Sequence, residues 1–252
     1  MPIEPQDIRD RESFKQWLDE RPAGVRRKTA IVLASRLAAR VLPVLTRSGR
    51  PRKLRQFADL SLPVFRANLI SRAAAATAYS AAATAYSAAA TAYSAADSAA
   101  ADSAATAATA ATADIWGQLR LDVDWLLLKG ATALLRRPLW NEAPDWWQES
   151  NGAFREILPA SEWRVWFDWY DSIAAGQPAF GLPAKAADAL EKRIALGDHR
   201  EGFWDREPKA INAEIAGWVA ETRGISAIPK AQNSGLRFRY SGGQVQLARG
   251  SG

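Results

Sequence analysis

Residues 159–178 read PASEWRVWFDWYDSIAAGQP, and this stretch carries a helix signal with both ends marked. Ser161 stands where a capping hydroxyl is preferred, and Gly176 followed by Pro178 supplies the stop. Between them Trp163, Phe167 and Tyr170 recur at i, i+4 and i+7 with Trp166 beside them, so one face is aromatic at helical period. Rings of this size are the largest apolar payload a side chain offers. The ladder therefore reads as core rather than as a cofactor box, and the rest of the chain is expected to cover it.

Working outward, ten of the eleven tryptophans lie between Trp116 and Trp218. The segment DIWGQLRLDVDWLLLKGATALLRR (114–137) predicts a helix up to Pro138, and APDWWQESNGAFREIL (143–158) another, with Pro144 in its first turn and a weak point at Gly152. PAKAADALEKRIALG (183–197) and PKAINAEIAGWVAETRG (208–224) each open on proline and stop at glycine, the second burying Ile211, Ile215, Trp218 and Val219. Upstream, Asp10 caps a helix carrying Phe14, Trp17 and Leu18 that ends before Pro22. An apolar run with spaced arginines (24–49) then kinks or stops at Pro43, and a third helix starts near Pro51 with a break expected at Pro63. The tail LRFRYSGGQVQLA (236–248) alternates about Ser-Gly-Gly, a hairpin signal with Leu236, Phe238, Tyr240, Val245 and Leu247 on one face.

The segment TAYSAAATAYSAAATAYS (77–94) repeats seven residues three times, and neither Gly nor Pro occurs between Val64 and Trp116. Alanine is the best helix former, so one helix of about 50 residues and roughly 75 Å is expected here. Tyr79, Tyr86 and Tyr93 form one stripe, with Ala76, Ala83 and Ala90 each three residues before a tyrosine, and the threonines and serines form another. The seven-residue period favours a left-handed supercoil. These six residues are the candidate contact surface, toward another helix of the chain or a second copy. A remote alternative is an ice-binding helix, because Ser80, Thr91 and Asp102 are 11 apart, as are Ser87, Ser98 and Thr109.

The fold class expected is thus all-α: a multi-helix bundle with one very long alanine-rich helix plus a small C-terminal β-hairpin. Its parts are basic N-terminal helices (1–72), the heptad helix (73–114), a tryptophan-rich helical domain (115–225) and a linker with the hairpin (226–252).

Composition removes several chemistries. With no cysteine there is no disulfide, thiolate nucleophile or iron–sulfur cluster. His199 is the sole histidine; it sits after Gly197 and reads as an exposed loop residue, so a multi-histidine metal site is ruled out. The pairs Asp122 with Asp124 and Asp168 with Asp171 read as solvated helix faces, and no phosphate loop or dinucleotide fingerprint is present. No enzyme activity and no cofactor are expected.

The net charge of +6 divides into +9 over residues 1–72, −3 over 73–114 and zero beyond. Arg26, Arg27, Lys28, Arg52, Lys53 and Arg55 are candidate nucleic-acid contacts. The plainer reading makes the arginines here, Arg36 and Arg40 included, the solvated faces of ordinary helices. The amino terminus has no secretory pattern, which points to the cytoplasm. The uncharged run Ala73–Ala96 is long enough to span a bilayer but too poor in leucine and isoleucine to insert.

The order of the alanine-rich middle, PLW (138–140), WRVWFDWYDSIAAGQP (163–178), FWDREPKAINAEIAGWV (203–219) and IPKAQNSGLRFRY (228–240) resembles a group of uncharacterised bacterial proteins. The resemblance implies no assigned chemistry. It implies a modular amino-terminal part that continues into other domains. Together these readings point to a non-catalytic scaffold or protein-interaction module that self-associates or docks a partner through the alanine-rich helix, with nucleic-acid binding as the alternative.

Overall fold

The computed structural model describes residues 2–43, 54–77, 105–227, 236–241 and 244–249. Their architecture is all-helical apart from two short strands. The helices are α1 (Arg11–Asp19), α2 (Ala23–Val41), α3 (Leu54–Thr77), α4 (Ala105–Lys129), α5 (Ala131–Leu135), α6 (Asp145–Ile157), α7 (Ala160–Ala174), α8 (Ala184–Ala195) and α9 (Pro208–Ala227). The strands β1 (Leu236–Ser241) and β2 (Gln244–Arg249) pair antiparallel, in a register that sets Phe238 opposite Leu247 and Tyr240 opposite Val245.

Helix α7 is the axle of the molecule. Trp163, Val165, Trp166, Phe167, Trp169, Tyr170 and Ile173 are all buried, more than the single aromatic face expected; a polar stripe of Arg164, Asp168 and Asp171 is left outside, and so broad an apolar surface has to be enclosed by other elements. Phe65 of α3 is at its centre, stacked on Trp166 at 5.0 Å and edge-on to Trp169 at 6.2 Å. The buried indole N–H groups find acceptors on the flanking helices, Trp166 donating to Asn212 of α9 (2.7 Å) and Trp169 to Glu191 of α8 (2.8 Å). Ile211, Ile215, Trp218 and Val219 close the same core from α9, as their spacing predicts. Ala39 of α2 and Leu42 just past its end belong to this core too, so segments from 1–72 and from 115–225 share one interior. A second cluster joins Ile8, Trp17, Val32 and Leu33 to Leu119, Val123 and Leu126 of α4.

Four local expectations are corrected. Pro63 lies inside α3 without ending it. An interior proline costs about 3 kcal/mol, but Leu62, Val64 and Phe65 are buried around it, and each such side chain contributes about 1.5–3 kcal/mol, so packing wins. The helix expected to run to Pro138 divides at Gly130, whose φ of 83° separates α4 from α5. Ser161 does not cap α7, because Pro159 holds the N-cap position with no side-chain bond. Helix α9 passes Gly224 and continues to Ala227. Asp10, by contrast, caps α1 as expected, accepting from the Ser13 backbone N–H.

The middle of the helix expected from Val64 to Trp116 lies outside the described residues, which hold its two ends as α3, up to Thr77, and α4, from Ala105. One straight helix would place Arg72 and Asp122 about 75 Å apart. Arg72 instead donates to the Leu135 carbonyl while Arg36, which is paired with Asp122, donates to that of Leu134. Helices α3 and α4 therefore meet around one point, each packed against α2.

Candidate functional site

Arg36 and Arg40, one turn apart on α2, point inward at 2% and 0% exposure. This corrects their reading as a solvated face. It also corrects that of Asp122, which is fully buried on α4, whereas Asp124, two residues on and facing away, is exposed. Asp122 Oδ2 accepts from Arg36 Nε at 2.8 Å and from Arg40 Nη2 at 2.6 Å, and Oδ1 accepts from Arg36 Nη2 at 3.2 Å. Arg36 further donates to the carbonyls of Leu134, Arg137 and Pro138, and Arg40 to that of Leu139. The guanidinium fork suits a planar array of carboxylate and carbonyl oxygens. Burial lowers Arg40 to about 10 against the attraction of Asp122, which leaves it a cation at neutral pH.

A second buried pair lies close by. Arg72 Nε is 3.0 Å from Glu191 Oε1, and burial pushes the Glu191 carboxyl above its ordinary value although Arg72 and the Trp169 indole pull it down. Between these two groups a cavity of about 10 Å³ is bordered by Ser35, Arg36, Asn68, Arg72 and Trp169. That is room for about one water and far too little for an organic substrate. The arrangement locks α2, α3, α4, α7 and α8 together; its charges are spent on one another.

The turn after α8 is unusual in its backbone. Gly197, Asp198 and His199 follow one another at φ of 58°, 56° and 59°, a left-handed conformation that costs on the order of 1–2 kcal/mol for a residue with a side chain. Arg193 holds it by donating from Nε to Asp198 Oδ1 (3.0 Å) and from Nη2 to Oδ2 (3.3 Å), while its guanidinium lies 4.5 Å over the Trp218 ring. Arg200 and Arg206 both pair with Glu214. Here too the guanidinium groups are already paired. His199 is exposed on this turn, as its sequence context indicates.

Of the residues singled out as contacts, Tyr79, Tyr86, Tyr93, Ala83, Ala90, Arg52 and Lys53 lie outside the described residues. Ala76 belongs to the last turn of α3 and Arg55 to the first. Arg26 closes the α1–α2 junction, donating to the carbonyls of Asp19 (2.8 Å) and Arg21 (3.3 Å); Arg27 and Lys28 beside it are exposed. Among the described residues no group of three or more metal-ligating side chains occurs, and no helix is long and apolar enough to cross a membrane.

What sequence reasoning missed is on the outside of α4. Leu121 and Leu128, seven residues apart, are 43% and 72% exposed, and Leu127 is 53% exposed. Leu121 and Leu128 share a face with Gly117 and the exposed Asp124, Leu127 lies about 100° further round the helix, and Trp125 beside them is covered by the Arg137 guanidinium, 4.8 Å over its ring. A signal was available: WLLLK (125–129) holds more leucine than one buried stripe can take up. No family model, curated protein or solved structure matches the chain.

Proposed function

We propose that this protein is a non-catalytic helical scaffold or protein-interaction module of the cytoplasm that self-associates or docks a protein partner through its alanine-rich helix. One observation carries the reading. Where that helix enters the described residues as α4, it keeps an outward apolar seam at seven-residue spacing, Leu121 and Leu128. Two leucines one heptad apart on an exposed face offer apolar area that a partner helix would bury. The seam is a second candidate contact surface beside the one proposed for Tyr79, Tyr86, Tyr93, Ala76, Ala83 and Ala90. In line with the resemblance to modular bacterial proteins, the module serves as the amino-terminal part of a longer chain. Nucleic-acid binding draws no support from Arg36, Arg40 and Arg72, whose charges face inward.

Light scattering of the purified protein tests this against Ala83→Glu, Ala90→Glu and Leu128→Glu. The wild type is expected to exceed the mass of one chain, and each glutamate to lower that mass while far-UV circular dichroism is kept. A wild type that is monomeric at every concentration, with glutamates changing neither mass nor folding, sinks the proposal.

A further inference from the structure

Independently of how the chain associates, we infer that the cavity between α2 and α3 is a binding site for one internal water molecule, which joins the two helices through Asn68. The space exists because α2 presents Ser35 and Ala39, one turn apart, on this side. A hydroxymethyl and a methyl leave room that a leucine would fill, and Leu139, Trp169 and Ile173 close the walls. From α3 the lining is Asn68 and Arg72, again one turn apart.

Asn68 makes the site polar. It is 2% exposed, and its Nδ2 donates to the Val64 carbonyl one turn back at 3.1 Å. A carbonyl only accepts, so the nitrogen is the end of the amide turned to its own helix and the oxygen is the end turned away. That Oδ1 is buried and has no hydrogen-bond partner among the described residues. A buried acceptor calls for a donor, and a water in the cavity that Asn68 borders supplies one.

The same surroundings exclude other occupants. A volume of about 10 Å³ admits one water-sized group. A cation would sit against the guanidinium groups of Arg36 and Arg72, which border the cavity. An anion would face the Asn68 oxygen, and Arg36 has no N–H to offer it, because all five go to Asp122 and to the carbonyls of Leu134, Arg137 and Pro138. Water both donates and accepts. One hydrogen goes to Asn68 Oδ1, and the Ser35 hydroxyl from α2 and the Arg72 guanidinium from α3 are its further partners.

A high-resolution crystal structure of the full-length protein tests this, together with water magnetic relaxation dispersion in solution. Expected is a single density peak in the cavity, about 2.8 Å from Asn68 Oδ1. The wild type is also expected to hold one long-lived water that Asn68→Leu, similar in shape but without an acceptor, lacks. A cavity free of density overturns the inference, and so does equal relaxation of the two proteins when both keep the wild-type far-UV circular dichroism. If crystals grown in bromide scatter anomalously at that point, an anion is bound there and the water assignment falls. Should Asn68→Leu fail to fold, the density in the wild type decides alone.

Discussion

At the scale of single residues, the Arg36–Asp122–Arg40 triad shows how burial changes the value of a charge. An exposed ion pair contributes about 0–1 kcal/mol, but removing one member of a buried one leaves the rest without compensation. Asp122→Ala is therefore expected to destabilise the fold by about 3–5 kcal/mol in chemical denaturation. Asp124→Ala, only two residues away but exposed, should stay within about 0.5 kcal/mol of wild type. Equal effects from the two would mean that Asp122 does not neutralise the arginines. Glu191 offers a test of sign. Its carboxyl is raised above the ordinary 4.5 in the fold by burial. A raised pKa contributes stability that is fully present below the unfolded value and lost as pH rises through the folded one. The stability of wild type minus that of Glu191→Gln should accordingly fall as pH is raised past 4.5. A difference that grows with pH would show the pair with Arg72 outweighing burial.

Among elements, the end of α7 decides how closely the chain folds back on itself. Gly176 has φ 72° and ends the helix with Gln177 N–H donating to the Ser172 carbonyl (2.8 Å) and Gly176 N–H to that of Ile173 (3.1 Å). A Cβ on Gly176 would lie 2.5 Å from the Pro138 nitrogen, and the neighbouring Leu139 N–H donates to the Ala174 carbonyl at 3.0 Å. This approach holds the 137–139 segment where Arg36 and Arg40 collect their carbonyls. Gly176→Ala should thus cost at least about 2 kcal/mol, combining backbone strain with the clash. Gly152→Ala in the middle of α6, where a Cβ meets nothing within 4 Å, should stabilise by about 0.5–1 kcal/mol. Thermal unfolding of the two variants reads both signs. The same comparison shows why proline and glycine were imperfect punctuation: Pro63 and Gly224 are passed by helices held from other sides, while Gly130 breaks one.

At the scale of the whole molecule, the interior is shared between segments far apart in the chain. Phe65 fills the centre of the α7 aromatic cluster, and the Tyr170 hydroxyl donates to the Ala39 carbonyl at 2.8 Å. A fragment of residues 105–227 would leave Trp166 and Trp169 bare on the side that Phe65 covers and Asp122 without either arginine. Its near-UV circular dichroism is expected to lose the tryptophan fine structure that the full chain shows, while the full chain unfolds in one transition. A fragment with native-like near-UV signal would mean that the tryptophan-rich part is a domain in its own right.

Periodicity and breakers by themselves determined that the chain is helical, where most helices begin, and that Trp163, Trp166, Phe167 and Tyr170 are core, because each of these depends on residues within a few turns of one another. They also placed His199 on an exposed turn. The fate of Arg36 and Arg40 was not legible in this way. A helical wheel distinguishes a basic stripe from an apolar one but not whether a carboxylate 82 residues away waits opposite it. Likewise an uninterrupted alanine run reads as one straight rod, since nothing local reveals that Arg72 and Asp122 flank the same arginine. The seam of Leu121 and Leu128 belongs to the same class: leucine has the same helical period on either face, and only the packing of α2 and the residues around it against α4 decides which leucines are covered and which remain for a partner.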